Sequence, residues 1–257
     1  MNFSLKPLVS PKLIVAVPIM LLLLALWVVV YLFITPDMAY ELPSPQARSI
    51  QEFFNYGDLF LNIISIFLTL LNVLLIYLLN NRFTIIRIRT FLPVFIYLLL
   101  ISVWYQTHYL IYAHFANTLF LFSLFVFFNM YRDRHSTEQA FLGTLLLASG
   151  SLIVEPLILL VPICWYNFIR YNCFSLRTFL ASLFGMLAPW AIFISINFLI
   201  QPDCQWINAL IEPFQVHPVF LKHSIVELVY IGILLIISII FLIEMFLLMK
   251  NDSMQTR

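Results

Sequence analysis

Asp37 and Glu41 follow directly on a long apolar run, and Asp58 opens the next one. A carboxylate held at such a boundary can act as a general base toward a hydroxyl group. Asp58, Asn62, Ser65, Thr69 and Asn72 are spaced four, three, four and three residues apart, so all five share one face of a helix. A face of that kind must look into protein or water and away from lipid. It either joins helices, through hydrogen bonds worth about 0.6–2 kcal/mol each, or lines a polar path. Glu155 stands immediately before Pro156, between two short apolar runs, and is expected either in solvent at an outer tip or at the rim of a cavity. His108, His114, His217 and His223, with Glu52, Asp203 and Glu212, complete a set of groups able to line a mouth for acid–base work or binding. Ordinary solvation of polar loops would place the same residues there without any chemistry.

Several kinds of chemistry are excluded. The histidine pairs 108/114 and 217/223 are each six residues apart, which is no metal-ligand spacing, so no metal site is assigned. Three cysteines, Cys164, Cys173 and Cys204, supply neither a disulfide framework nor a four-ligand zinc site, and no motif surrounds any of them. Five glycines leave no room for a Gly-rich phosphate loop, and no GxGxxG, Walker A or HExxH string is present. No cofactor is assigned. Thirteen Lys+Arg against twelve Asp+Glu give a net charge of +1, which offers nothing to nucleic acid.

The elements that must position these groups are membrane spans. Of the 257 residues 63% are hydrophobic and 10% charged, where a soluble domain carries about 25% charged residues. A span needs about 20 apolar residues. Long runs cover Leu13–Ile34, Leu59–Leu79, Tyr109–Tyr131, Phe179–Ile200 and Ile225–Met249, and shorter ones Phe91–Tyr105, Gln139–Val154 and Pro156–Ile169. The first run, 22 residues long, exceeds the core of a signal peptide and is expected as a retained anchor. Arg132 and Arg134 precede the last two short runs, and Arg170 and Arg177 follow them. Two antiparallel crossings keep all four arginines on one side, as the positive-inside rule prefers, and Pro156 favours a break.

The chain is therefore expected as an all-α polytopic transmembrane bundle of about eight helices with both termini cytoplasmic. Residues 1–257 would form a single integral membrane domain with outer loops 35–58 and 201–224 and a short-helix hairpin at 139–169. Eleven of the thirteen Lys+Arg then lie on the cytoplasmic side, with only Arg48 and Lys222 outside. Small residues should mark helix contacts: Ala140, Thr144, Ala148 and Ser151 form one stripe, and Ala181, Gly185 and Ala188 a second. Trp104 with Tyr105, and Trp165 with Tyr166, fit interfacial aromatic belts.

Two resemblances appear across these segments. RIRTFLPVFIYLLL (Arg87–Leu100), HFANTLFLFSLFVFFNMYRDR (His114–Arg134) and SLFGMLAPW (Ser182–Trp190) resemble an uncharacterised family of Bacteroidetes multi-pass inner-membrane proteins. More distantly, the order of parts is similar to the membrane core of type-C glycosyltransferases. The similarity covers TPDMAYE (Thr35–Glu41), NYGDLF (Asn55–Phe60), the hairpin LLLASGSLIVEPLILLVP (Leu145–Pro162) and the Pro189-Trp190 pair. This resemblance implies transfer of a sugar from a polyprenyl-phosphate lipid at the outer face of the bacterial inner membrane. It places the catalytic base at Asp37, while Glu41, Asp58, Asn62, Asn72, Glu155 and His217, taken from the polar positions above, are the candidate binding groups. Met38 stands where such enzymes commonly have a second acid, and Glu155 where a basic residue would suit the lipid phosphate. The expected function is thus envelope biogenesis in contact with the bilayer and other membrane proteins. A non-catalytic scaffold or assembly subunit, and a small-solute transporter using the Asp58–Asn72 face, are the alternatives.

Overall fold

The computed structural model describes residues 58–83, 91–103, 111–130 and 136–200, together with 232, 236 and 239. The chain divides into two compact units, Met1–Phe214 and Gln215–Arg257. Of the second, Gly232, Ile236 and Ile239 are described; all three are helical. The expected spans Leu13–Ile34 and, apart from those three positions, Ile225–Met249 lie outside the described residues, as do both termini.

The first unit contains α1 (Asp58–Phe83), α2 (Leu92–Val103), α3 (Ile111–Asn129), α4 (Thr137–Ile153), a 3-10 segment (Glu155–Leu160), α5 (Val161–Arg170) and α6 (Leu176–Ile200). No strand occurs among the described residues. Stretches within α1, α3 and α6 (Ile63–Phe83, Ile111–Asn129 and Leu176–Leu199) are long and apolar enough to cross a membrane.

Successive helices alternate in direction. Leu68, in the middle of α1, packs with Ile111 at the start of α3, and Phe83 at the end of α1 meets Phe125 and Phe128, so α1 and α3 run parallel. Tyr77 stacks on Phe91 at 5.2 Å while Asn72, further back on α1, bonds Tyr97, so α2 is antiparallel to α1. Gly143 lies against the Phe127 ring and Gly150 against the Ala116 carbonyl, which sets α4 antiparallel to α3. Ala140 at the start of α4 and Phe168 near the end of α5 share one buried cluster with Phe127, Met130 and Cys173. The two arms flanking Glu155 therefore fold back on each other. Arg82, Arg170 and Arg177 consequently lie at one end of the bundle, and Glu155 and Asp58 toward the other.

Pro156 explains the break. It disfavours helix at the residue before it and lacks the amide that would continue α4. Val154 is accordingly extended (φ −126°, ψ 90°), its amide closing α4 on the Gly150 carbonyl at 3.0 Å. The return arm is expected as one short helix and is instead 3-10 for six residues and α for ten. At about 2.0 Å and 1.5 Å rise per residue it reaches about 27 Å, close to the span of α4. Pro162 falls in the first turn of α5, where its missing donor costs nothing. α5 ends in a Schellman turn: Cys173 N–H donates to Phe168 O at 3.0 Å and Asn172 N–H to Ile169 O at 3.2 Å. Asn172 supplies the left-handed residue at φ 56°.

Polarity is distributed inside out. On α1, Ser65, Thr69 and Asn72 are buried while Ile63, Phe67 and Leu74 are exposed. On α6, Leu176, Phe184, Ile192 and Phe198 are exposed, and the helix is the least buried of the three long ones. Such a surface suits contact with hydrocarbon. The α4 stripe of Ala140, Thr144, Ala148 and Ser151 is fully buried, and α4 packs most extensively on α6 and α3. Gly185 of the second stripe sits directly on the Phe141 carbonyl and the Thr144 hydroxyl. The Trp165–Tyr166 belt divides: Tyr166 is exposed, whereas the Trp165 indole turns inward and donates to Ser182 Oγ at 3.0 Å.

Candidate functional site

Two buried polar centres flank α3. The first is built on Asn72, which is wholly enclosed. Its Nδ2 donates to the His114 carbonyl at 3.3 Å, and its Oδ1 accepts from Thr118 Oγ1 at 2.9 Å. Thr118 Oγ1 also lies 2.8 Å from His114 O, so its single hydrogen is shared between the two acceptors. The Tyr97 hydroxyl bonds Asn72 and accepts from Asn117 Nδ2 at 3.3 Å. One amide thus ties α1, α2 and α3 together, with its hydrogen-bonding capacity spent between helices. This is the arrangement of a staple, worth about 0.6–2 kcal/mol per bond in a membrane.

Further along the same face of α1, the hydroxyls of Ser65 and Thr69 are buried with no hydrogen-bond partner. An unsatisfied buried hydroxyl costs about 1–3 kcal/mol. Asp58 and Asn62 belong to the first two turns of α1, and their side chains lie outside the described residues.

The second centre is Glu155. The carboxyl stands neither in solvent nor at an open rim, as either expectation had it; at 1% exposure it is enclosed at the turn between α4 and the 3-10 segment. Tyr112, Ala116 and Ile153 form the adjoining apolar cluster, with Val154 and Leu157 against it. The Tyr112 phenol lies within electrostatic reach of the carboxyl. Desolvation of this degree requires a carboxyl group to be protonated or paired. Such a group can carry a proton or hold a cationic group.

These centres do not converge. His114 and Thr118 lie on the flank of α3 that meets α1, whereas Tyr112 and Ala116 lie on the flank that meets the hairpin. Asp37, Glu41 and His217 lie outside the described residues, so their positions relative to Glu155 are not part of the geometry. Among the described residues no three His, Cys, Asp or Glu side chains come together to hold a metal ion.

Sequence reasoning missed Tyr97, Thr118 and Tyr112. Thr118 was discoverable, because it follows His114 by four residues and shares its helix face. Tyr97 and Tyr112 carried no such signal among 12 tyrosines and 26 phenylalanines. The Ser151 hydroxyl accepts from the Trp190 indole at 3.0 Å, so the Pro189-Trp190 pair has a contact on α4.

Cys173 is expected from topology to label from the arginine side. The residue is 2% exposed, and its thiol donates to the Met130 carbonyl at 2.7 Å. Maleimide should therefore modify Cys173 slowly in the native protein whichever side it is added from, and rapidly after denaturation. Fast native labelling would contradict this packing.

The described residues thus define a helical bundle with an apolar exterior suited to a lipid bilayer. Comparison with protein-family models, with curated proteins and with solved structures finds no match for this chain.

Proposed function

We propose that this chain is a multi-pass protein of the bacterial inner membrane that works in envelope biogenesis, transferring a sugar from a polyprenyl-phosphate carrier. Asp37 would take the proton of the acceptor hydroxyl, whose oxygen attacks the sugar carbon as the polyprenyl phosphate leaves. Glu155 would serve the same outer site from the hairpin break. The observation that carries this reading is the enclosure of Glu155, the residue before Pro156 and the first of the 3-10 break. A buried acid within membrane-spanning structure is expensive and marks a functional site by default, and a short 3-10 stretch between helices often marks a hinge.

A scaffold is the second reading, supported by the broad exposed apolar face of α6. Complementation of a deletion strain separates the two. Asp37→Asn and Glu155→Gln preserve shape and hydrogen bonding but cannot exchange a proton in the same way. Both variants should accumulate at the normal level and fail to complement, with Asp37→Asn losing about 10²–10⁴ in rate. Full complementation by both would leave the scaffold reading in place.

A further inference from the structure

α4 and α6 run parallel, and their register is set at two heights: Gly185 lies against Phe141 and Thr144, and Trp190 donates to Ser151. Carried back eight residues along each helix, that register puts Ser136 level with Arg177. The two N-termini therefore stand side by side at the arginine end. Each presents amide groups without helical partners and a partial positive charge.

α6 is capped from within. Ser175 Oγ accepts the Thr178 amide at 3.1 Å, and the two hydroxyls bond each other at 2.6 Å. Thr178 is fully buried and stands seven residues before Gly185, on the flank of α6 that meets α4. Among the described residues α4 has no comparable cap. Ser136 occupies its N-cap position, yet its hydroxyl makes no capping bond and, at 2% exposure, has no hydrogen-bond partner. A serine there ordinarily accepts an amide two or three residues on. Here the Ser136 hydroxyl is an unspent donor beside the first-turn amides of Thr137, Glu138 and Gln139, which have no carbonyl of their own helix to meet. The Gln139 side-chain oxygen also lacks a partner, and its amide adds donors once turned end for end. Arg170 and Arg177 are both exposed at this end, with Glu138 the acid in the first turn of α4.

The Ser136 hydroxyl, two helix dipoles of the same sign and two guanidinium groups all favour an anion. Their depth is that of the ends of the long apolar helices, where headgroups lie. We propose that the paired N-termini of α4 and α6 bind the phosphate of an anionic phospholipid headgroup. This site is at the opposite end of the bundle from Glu155 and stands independently of the transfer reaction.

The full chain in detergent, titrated with phosphatidylglycerol or phosphatidylcholine and read by native mass spectrometry, tests it. Phosphatidylglycerol should be retained preferentially. Arg170→Gln and Arg177→Gln should each weaken that preference about fivefold, and the double variant should abolish it. Arg82→Gln, at the same end but on the C-terminus of α1, should retain it. Displacement of the lipid by millimolar inorganic phosphate would overturn the lipid assignment in favour of a soluble phosphate compound. Equal retention of both lipids, or an unchanged preference in the double variant, would overturn the site.

Discussion

Gly185→Leu should part α4 from α6 and destabilise the protein by about 3 kcal/mol or more, the upper end of overpacking costs. A Cβ at this position would collide with the Phe141 carbonyl oxygen and the Thr144 hydroxyl, and it would lie 3.2 Å from the Phe141 carbonyl carbon. Two of those three atoms are backbone, so no side-chain rotation relieves the contact. The helices must separate, and separation also strains the Trp190–Ser151 bond. The roughly 1 kcal/mol of helix propensity gained on replacing glycine does not offset this. Gly150→Ala is the control: its nearest neighbour would be Leu157 Cδ1 at 3.3 Å, the movable end of a side chain. Thermal unfolding in detergent should show a large fall in Tm for Gly185→Leu and a small change for Gly150→Ala. Equal Tm values for Gly185→Leu and the parent chain would refute the close approach.

Asn72→Leu should cost about 2–5 kcal/mol, the sum of three interhelical bonds at membrane values. The loss falls on His114 O, Thr118 and Tyr97, which Asn72 joins across three helices. Leu keeps the branched outline but is larger, so the single variant mixes overpacking with lost hydrogen bonds and the cycle below isolates the latter. Leu70 lies two residues away on the exposed side of α1. Leu70→Asn should fold poorly for the opposite reason, placing an amide against hydrocarbon. A double-mutant cycle between Asn72 and Thr118, read by unfolding equilibria in detergent, should return a coupling of about 0.5–1.7 kcal/mol. Zero coupling, with Asn72→Leu as stable as the parent, would remove the staple.

The extents of α1, α3 and α6 were legible in the sequence because a membrane helix is a local property. Each backbone satisfies its own hydrogen bonds, and an apolar run of sufficient length declares itself without reference to any partner. The buried side of α1 was legible for the same reason: three polar residues at helical spacing have only one direction to avoid lipid. Pro156 likewise announced the break between α4 and the return arm, because its missing amide acts within the chain on either side.

What no local pattern carried was contact between residues distant in the chain. Glu155 reads equally well as a solvated tip or a cavity rim; its enclosure beside the Tyr112, Ala116 and Ile153 cluster exists only in the folded chain. Asn72 reads as either path or staple until Thr118 and Tyr97 arrive from two other helices to use its amide. Gly185 sits in a recognisable stripe of small residues, but its direct seat on the Phe141 carbonyl depends on how far α4 and α6 approach. The 3-10 form of the first six residues of the return arm was equally hidden in its apolar run. Sequence by itself determined where the helices run and which sides avoid lipid, because backbone satisfaction and solvent preference are settled residue by residue. Tertiary structure alone decided which polar groups are spent on one another, because burial is a property of neighbours that the chain brings together only on folding.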